Sequence, residues 1–235
     1  MYSKGRIKEF YEEEAERYDK TRRWFEKGRF AYKERKLYSI FLRKRGIILY
    51  VACGTGRHIS YLVNQLGCEV IGLDLAKNMI KIAMTKLSNA ERERVHFLIA
   101  DAEQLPFREG SYNGVLCTRA FYLFTNKFKF LREAYYVLKS DGRLLLSSVF
   151  MDLFLTRLGI RIGIFADDPE DFPYTSRQCA SMLKKVGFKK VYRRCITFFT
   201  GDPRFLPPLI VRIISFLEDL SQSGRWVMVI GEKIS

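Results

Sequence analysis

From Ile47 onward the chain alternates two patterns. Short apolar runs, of the kind that make strands buried on both faces, are separated by stretches whose apolar residues recur at spacings of three and four. Ile47, Ile48, Leu49 and Val51 form the first run, and further strands are predicted over 69–73, 95–100, 112–117 and 143–149. Ile59, Leu62, Val63 and Leu66 predict a helix closed by Gly67. Met79, Ile80, Ala83 and Leu87 predict one over 76–87. Phe128, Leu131, Ala134, Tyr135 and Leu138 predict a third, with Asn126 as its N-cap. Asp141-Gly142 predicts a turn before the strand that starts at Arg143. Alternation at this pitch implies βαβ units: an α/β fold with a parallel sheet and helices on both faces.

Two amphipathic helices precede this core, over 4–20 (Ile7, Phe10, Tyr11, Ala15, Tyr18) and 29–44 (Phe30, Leu37, Ile40, Phe41). Both can pack over the far end of the first strand. After Val149 comes an irregular, partly apolar insertion over 150–174. Thr175 with Gln178 is a capping-box pattern opening a helix that runs to Gly187. A strand over 191–199, a helix over 209–220 opened by Pro207 and Pro208, and a last strand over 226–230 complete the chain. There is no repeat, low-complexity tract or clear linker, so residues 1–235 read as a single domain.

Composition narrows the class. Hydrophobic residues make up 48% of the 235, which excludes wholesale disorder. No apolar run approaches the roughly 18 residues needed to cross a bilayer, and the N-terminus has no apolar signal core. Five scattered cysteines match neither a zinc site nor a disulfide framework, so no metal is expected and a reduced, cytoplasmic protein is. The net charge of +15 favours anionic partners. Residues 20–45 concentrate it, with eleven Lys/Arg against Glu26 and Glu34, and can face RNA or an anionic surface.

In parallel sheets ligands sit outside the carboxyl ends of the strands. There, Ala52, Gly54 and Gly56 let the backbone turn sharply and approach a ligand closely. A helix starting just after them adds free N–H groups and a positive dipole end. Asp74, twenty residues beyond Gly54, can accept both hydroxyls of an adenosine ribose. Asp101 can accept from an adenine amino group while the N–H of Ala102 meets a ring nitrogen. Leu75, Met79 and Leu105 can line the ring faces. The dinucleotide fingerprint is not met, because Ile59 stands where its third glycine belongs.

VACGTG, GLDLAKNMI, ADAEQLPF and LKSDGRLLL together resemble the class I S-adenosylmethionine-dependent methyltransferases, in particular the group that includes quinone-biosynthesis enzymes. The resemblance covers about residues 46–150 closely and 175–233 loosely. It implies a Rossmann-like, doubly wound sheet of seven strands, mostly parallel with an antiparallel last strand. It implies a helical lid over 1–45, a cofactor-binding core over 46–149, and substrate-side insertions over 150–174 and 201–222. It also implies S-adenosylmethionine as cofactor, with Ala52, Gly54 and Gly56 along its methionine part, Asp74 on the ribose, Asp101 and Ala102 on the adenine, and Leu75 and Thr118 beside them. Two positions depart from the family pattern: Tyr50 replaces an acidic residue, and Ala52 replaces a glycine.

Methyl transfer from a sulfonium needs a general base only if the acceptor must lose a proton. The candidates are Tyr122, in the segment Thr118–Arg119–Phe121–Tyr122 where sulfonium and acceptor meet, and His58 after the glycine turn. His96 reads as structural. Tyr11, Tyr18 and Trp24 can shield the sulfonium. A small or lipid-like acceptor is expected from the apolar insertion and the helix with Leu209, Ile210, Ile213 and Phe216, which can roof a hydrophobic pocket. The alternatives are RNA, such as a tRNA, on the basic face, and a cofactor-binding protein without catalysis.

Overall fold

A computed structural model of the chain describes residues 3–22, 28–150, 152, 174–197, 207–222 and 226–234. Trp24, residues 151 and 153–173 of the insertion, and residues 201–206 lie outside the described residues.

The five strands β1 (Ile47–Val51), β2 (Glu69–Asp74), β3 (Val95–Ile99), β4 (Tyr112–Thr118) and β5 (Leu138–Val149) pair in parallel. β6 (Lys190–Thr197) and β7 (Trp226–Glu232) complete one seven-stranded sheet in the order β3-β2-β1-β4-β5-β7-β6. β7 lies between β5 and β6 and runs antiparallel to both. The doubly wound, Rossmann-like architecture implied by the resemblance is the one observed.

Strand side chains alternate between faces. Leu49 and Val51 point into one core with Val115, Leu144 and Leu146, covered by α6 (Lys127–Val137) and α7 (Ser176–Val186). Ile48 and Tyr50 point into the other with Leu116, Leu145 and Met228, covered by α2 (Gly28–Phe41) and α3 (Ile59–Asn64). Each fully buried leucine or valine contributes about 1.5–3 kcal/mol of transfer free energy.

Local signals hold where partners are local. Asn126 caps α6 by accepting from Lys129 N–H, and Thr175 and Gln178 form the capping box of α7. Asp152 adds a second cap to α7, accepting from Ser176 N–H at 2.7 Å. The turn at Asp141-Gly142 differs from expectation. β5 already starts at Leu138, and its pairing with β4 jumps from Tyr112↔Leu138 to Gly114↔Arg143. The turn residues therefore form a bulge within the strand, with Asp141 at φ 65° and its N–H on Lys233 O.

Three helices sit outside these layers or at their edge: α1 (Lys4–Thr21), α4 (Lys77–Thr85) and α8 (Pro208–Leu220). The expected lid divides in two. α1 packs on α4 at the carboxyl ends of the strands, whereas α2 is a core helix whose Tyr38 is fully buried. Between α4 and β3 stands a short helix absent from the expectations, α5 (Asn89–Arg92), closed by a Ser88–Glu91 capping box.

Candidate active site: the cavity beneath the first helix

Because β3, β2, β1 and β4 are adjacent and parallel, the residues that end them meet along one edge. That edge and α1 border a cavity of about 780 Å³, its open mouth included. Ala52, Gly54, Asp74, Leu75, Asp101, Ala102 and Thr118 all line it, and Met79 with them. Lys4, Ile7, Tyr11 and Tyr18 line it from α1.

Asp74 is the pivot of the floor. Its Oδ2 accepts from Gly54 N–H at 2.7 Å and its Oδ1 from Ala76 N–H at 3.0 Å. Burial pushes its carboxyl above the usual value, and these N–H donors oppose the rise. With Leu75 N–H as a third donor, the carboxylate keeps acceptor capacity for a ligand hydroxyl. Gly54 adopts φ +54°, and a Cβ added there would meet nothing within 4 Å, so the turn is open toward a ligand. Gly56 does not line the cavity. At φ +75° it lets the turn close against Ile59 and Ala83, 3.0 and 3.2 Å from where its Cβ would be. Ala52 holds φ 48° without being glycine, a strain of about 1–2 kcal/mol.

Asp101 accepts from Glu103 N–H through Oδ1 and from Lys4 Nζ through Oδ2 at 2.6 Å. Lys4 also pairs with Glu103 at 2.8 Å. Two more ties hold α1 down. Glu12 accepts from the N–H groups of Lys77 and Asn78, both at 2.7 Å, so it caps α4, which has no side-chain cap of its own. Asp19 accepts from Thr55 Oγ1 at 2.6 Å and pairs with Lys86. Neither Glu12 nor Asp19 was marked by local sequence; their partners lie 36 to 67 residues away.

The catalytic candidates fare differently from the floor. Tyr122 is not among the lining residues; its hydroxyl is hydrogen-bonded to Tyr11, and burial raises both phenols above their ordinary value. Neither is a base near neutral pH. His58 is buried outside the cavity, its Nε2 2.8 Å from Arg57 Nη2. A guanidinium only donates, so Nε2 accepts and the ring is neutral. Burial first, then the Arg57 charge, pushes His58 down to about 3. Leu105 packs in the core rather than on the cavity. His96 sits on β3, away from the lining.

Tyr50, at the position where the family pattern has an acid, bonds Thr118 Oγ1 at 2.8 Å. A buried carboxylate arrives instead from α2. Glu34 accepts from Ser147 Oγ and from Arg57 Nη2, each at 2.6 Å. Burial opposes its ionisation, but the Arg57 and Arg119 charges outweigh it and hold the carboxyl well below the usual range. A sequence signal existed: Glu34 interrupts the apolar face of Phe30, Leu37 and Phe41 at helical spacing. Arg119 links this cluster to the cavity, which it lines, at φ 56° and with its N–H on Ser147 O.

Comparisons with known proteins give the family likeness. Residues 49–146 match the family model described as a methyltransferase domain. A ubiquinone/menaquinone biosynthesis C-methyltransferase of Citrifermentans bemidjiense is 28% identical over 216 residues, covering 79% of this chain and 89% of the relative. Residues 49–146 carry a methyltransferase domain, and the sheet around them has the fold of the S-adenosylmethionine-dependent methyltransferases. The C-methyltransferase of that name from Wigglesworthia glossinidia brevipalpis is 34% identical, over 46% of this methyltransferase and 44% of its own length. A Thermotoga maritima S-adenosylmethionine-dependent methyltransferase shares the fold at TM-score 0.66, with 22% identity over 94% and 98% of the two chains. A chain from the Haloferax volcanii complex of a methyltransferase with the Trm112 activator does so at TM-score 0.70 and 15% identity, over 96% and 98%.

Proposed function

We propose that this methyltransferase binds S-adenosylmethionine in the cavity under α1 and transfers its methyl group to a small or lipid-like acceptor. One observation carries the reading: Gly54, Asp74, Asp101 and Thr118 come from four adjacent strand ends and line one cavity. Asp74 offers its remaining acceptor capacity to the ribose. Asp101 and the N–H of Ala102 face the adenine, with Leu75 and Met79 on its ring faces. Ala52 and Gly54 run along the methionine part, Thr118 lies at its far side, and Gly56 shapes the turn without touching the ligand.

The cofactor, when bound, supplies an electrophilic methyl on a sulfonium. The chain contributes alignment and exclusion of water, effects that reach about 7–11 kcal/mol in well-oriented systems. Tyr11 and Tyr18 present aromatic faces under α1 that shelter a cation. Neither Tyr122 nor His58 serves as a base, so the acceptor brings its own nucleophile, and Arg119 favours one with an anionic oxygen. The apolar lining of Ile7, Leu123 and Phe124 and the quinone C-methyltransferase relatives support a ring-shaped, largely apolar acceptor. Five free, buried cysteines support a reducing, cytoplasmic setting. Of the basic stretch, Lys33 is buried against Glu218 and Arg22 is paired with Glu14, which reduces the face left for RNA.

Asp74→Ala should weaken S-adenosylhomocysteine binding at least several-fold by calorimetry; unchanged affinity would sink the ribose assignment. Labelled methyl from the cofactor should pass to reduced demethylquinone analogues and enter the organic phase. Label recovered in tRNA instead would replace this acceptor by RNA.

A further inference from the structure

α8 is amphipathic the wrong way round. Its inward side carries Glu218, fully buried, accepting from Lys33 Nζ at 2.8 Å and from Thr197 Oγ1 at 3.1 Å. Its outward side carries Leu209, Ile210, Ile213, Phe216, Leu217 and Leu220, each 43–68% exposed. At 100° per residue these six fall within an arc of about 120°, one continuous stripe down the helix. None of them lines the cavity under α1, so the stripe does not roof the pocket as its sequence suggests. On the adjoining α2, Tyr32 and Ile40 are also exposed and share a side with Lys36.

We propose that this stripe docks the protein onto an anionic lipid bilayer, α8 lying in the interface plane with its apolar side among the acyl chains. The charges around it fit that occupant. The two acids of α8 are already neutralised, Glu218 by Lys33 and Asp219 by Lys33 and Lys36. Arg212 is exposed beside the stripe, and Arg193 reaches Gln222 at its end. The chain as a whole carries +15. A helix apolar on one side, with its acids paired and Arg212 exposed at its border, can lie in the interface of an anionic bilayer. Charge argues against a second copy, since two chains that each carry +15 repel one another. The proposal does not rest on the acceptor assigned above, and no methyl acceptor is needed to test it.

The test is co-sedimentation of the purified full chain with vesicles of phosphatidylglycerol and phosphatidylcholine, compared with phosphatidylcholine alone. Binding to the anionic vesicles should exceed binding to neutral ones at least tenfold at low salt. Ile213→Ser with Phe216→Ser should lower the anionic partition coefficient at least tenfold at unchanged Tm, and Leu209→Ser with Leu220→Ser should act alike from the stripe's ends. Three outcomes would overturn the proposal: no binding to anionic vesicles, binding that neither double variant alters, or a concentration-dependent dimer in sedimentation velocity that either variant dissolves.

Discussion

α1 and α8 are both helices laid against a finished sheet, and both are attached largely through charge, yet the attachments differ in kind. α1 buries little of itself, only Glu14 and Ala15. Its ties are part-exposed: Lys4 to Asp101 and Glu103, Glu12 to the start of α4, Asp19 to Thr55 and Lys86. α8 is held by Lys33, 6% exposed, against a Glu218 that is fully buried. Part-exposed ion pairs contribute about 0–1 kcal/mol each and are screened by salt, whereas a buried pair leaves an uncompensated charge when one partner is removed. α1 is thus held by ties that salt can screen, and α8 by a buried pair that salt reaches far less.

The contrast is most exposed to attack at Lys33. Lys33→Met leaves the Glu218 carboxylate buried without its lysine and should cost about 3–5 kcal/mol of stability by denaturant unfolding. A loss below 1 kcal/mol would put the two helices in the same class. Acid should act next, through the cluster that α2 carries inward. His58 is neutral when folded, at about 3, and takes up a proton when unfolded at about 6.5. Its contribution is therefore complete above pH 6.5 and declines as pH falls toward 3; Glu34, also depressed, adds a further loss below about pH 4.5. Tm should drop steadily from pH 7 to 4, and His58→Gln should flatten that slope even if it lowers Tm overall. An unchanged slope would remove His58 as its source.

Smaller effects belong to α1. Glu12→Ala removes the cap of α4 and should cost about 1 kcal/mol, with faster hydrogen exchange in α1 and α4 and none in α8. Smallest of all, ionic strength of about 0.5 M should speed exchange in α1 alone, since it screens part-exposed pairs and spares buried ones. Equal acceleration in both helices would erase the distinction.

The cavity floor and α1 show how far residues speak for themselves. Ala52, Gly54, Asp74 and Asp101 could be placed because each ends a strand, and strand ends in a parallel sheet converge on one edge by geometry alone. Glu12 and Lys4 could not, because nothing in a helical heptad says which distant backbone N–H or carboxylate it will meet. His58 followed the glycines closely enough to suggest the cavity, but its side chain turned into the protein, toward Glu34.

Hydrophobic period and turn chemistry, which act over a few residues, determined the strands, most of the helices, the α/β class and the strand-end floor. The insertion of β7 between β5 and β6, the bulge in β5, the Glu34 cluster and the docking of α1 were decided only by the assembled fold, because each depends on groups far apart in sequence. α8 is the clearest case. Its composition announced an apolar helix, and an apolar helix is expected to face inward. One buried lysine from α2 turned its acid face in and its apolar face out, and only three dimensions record that choice.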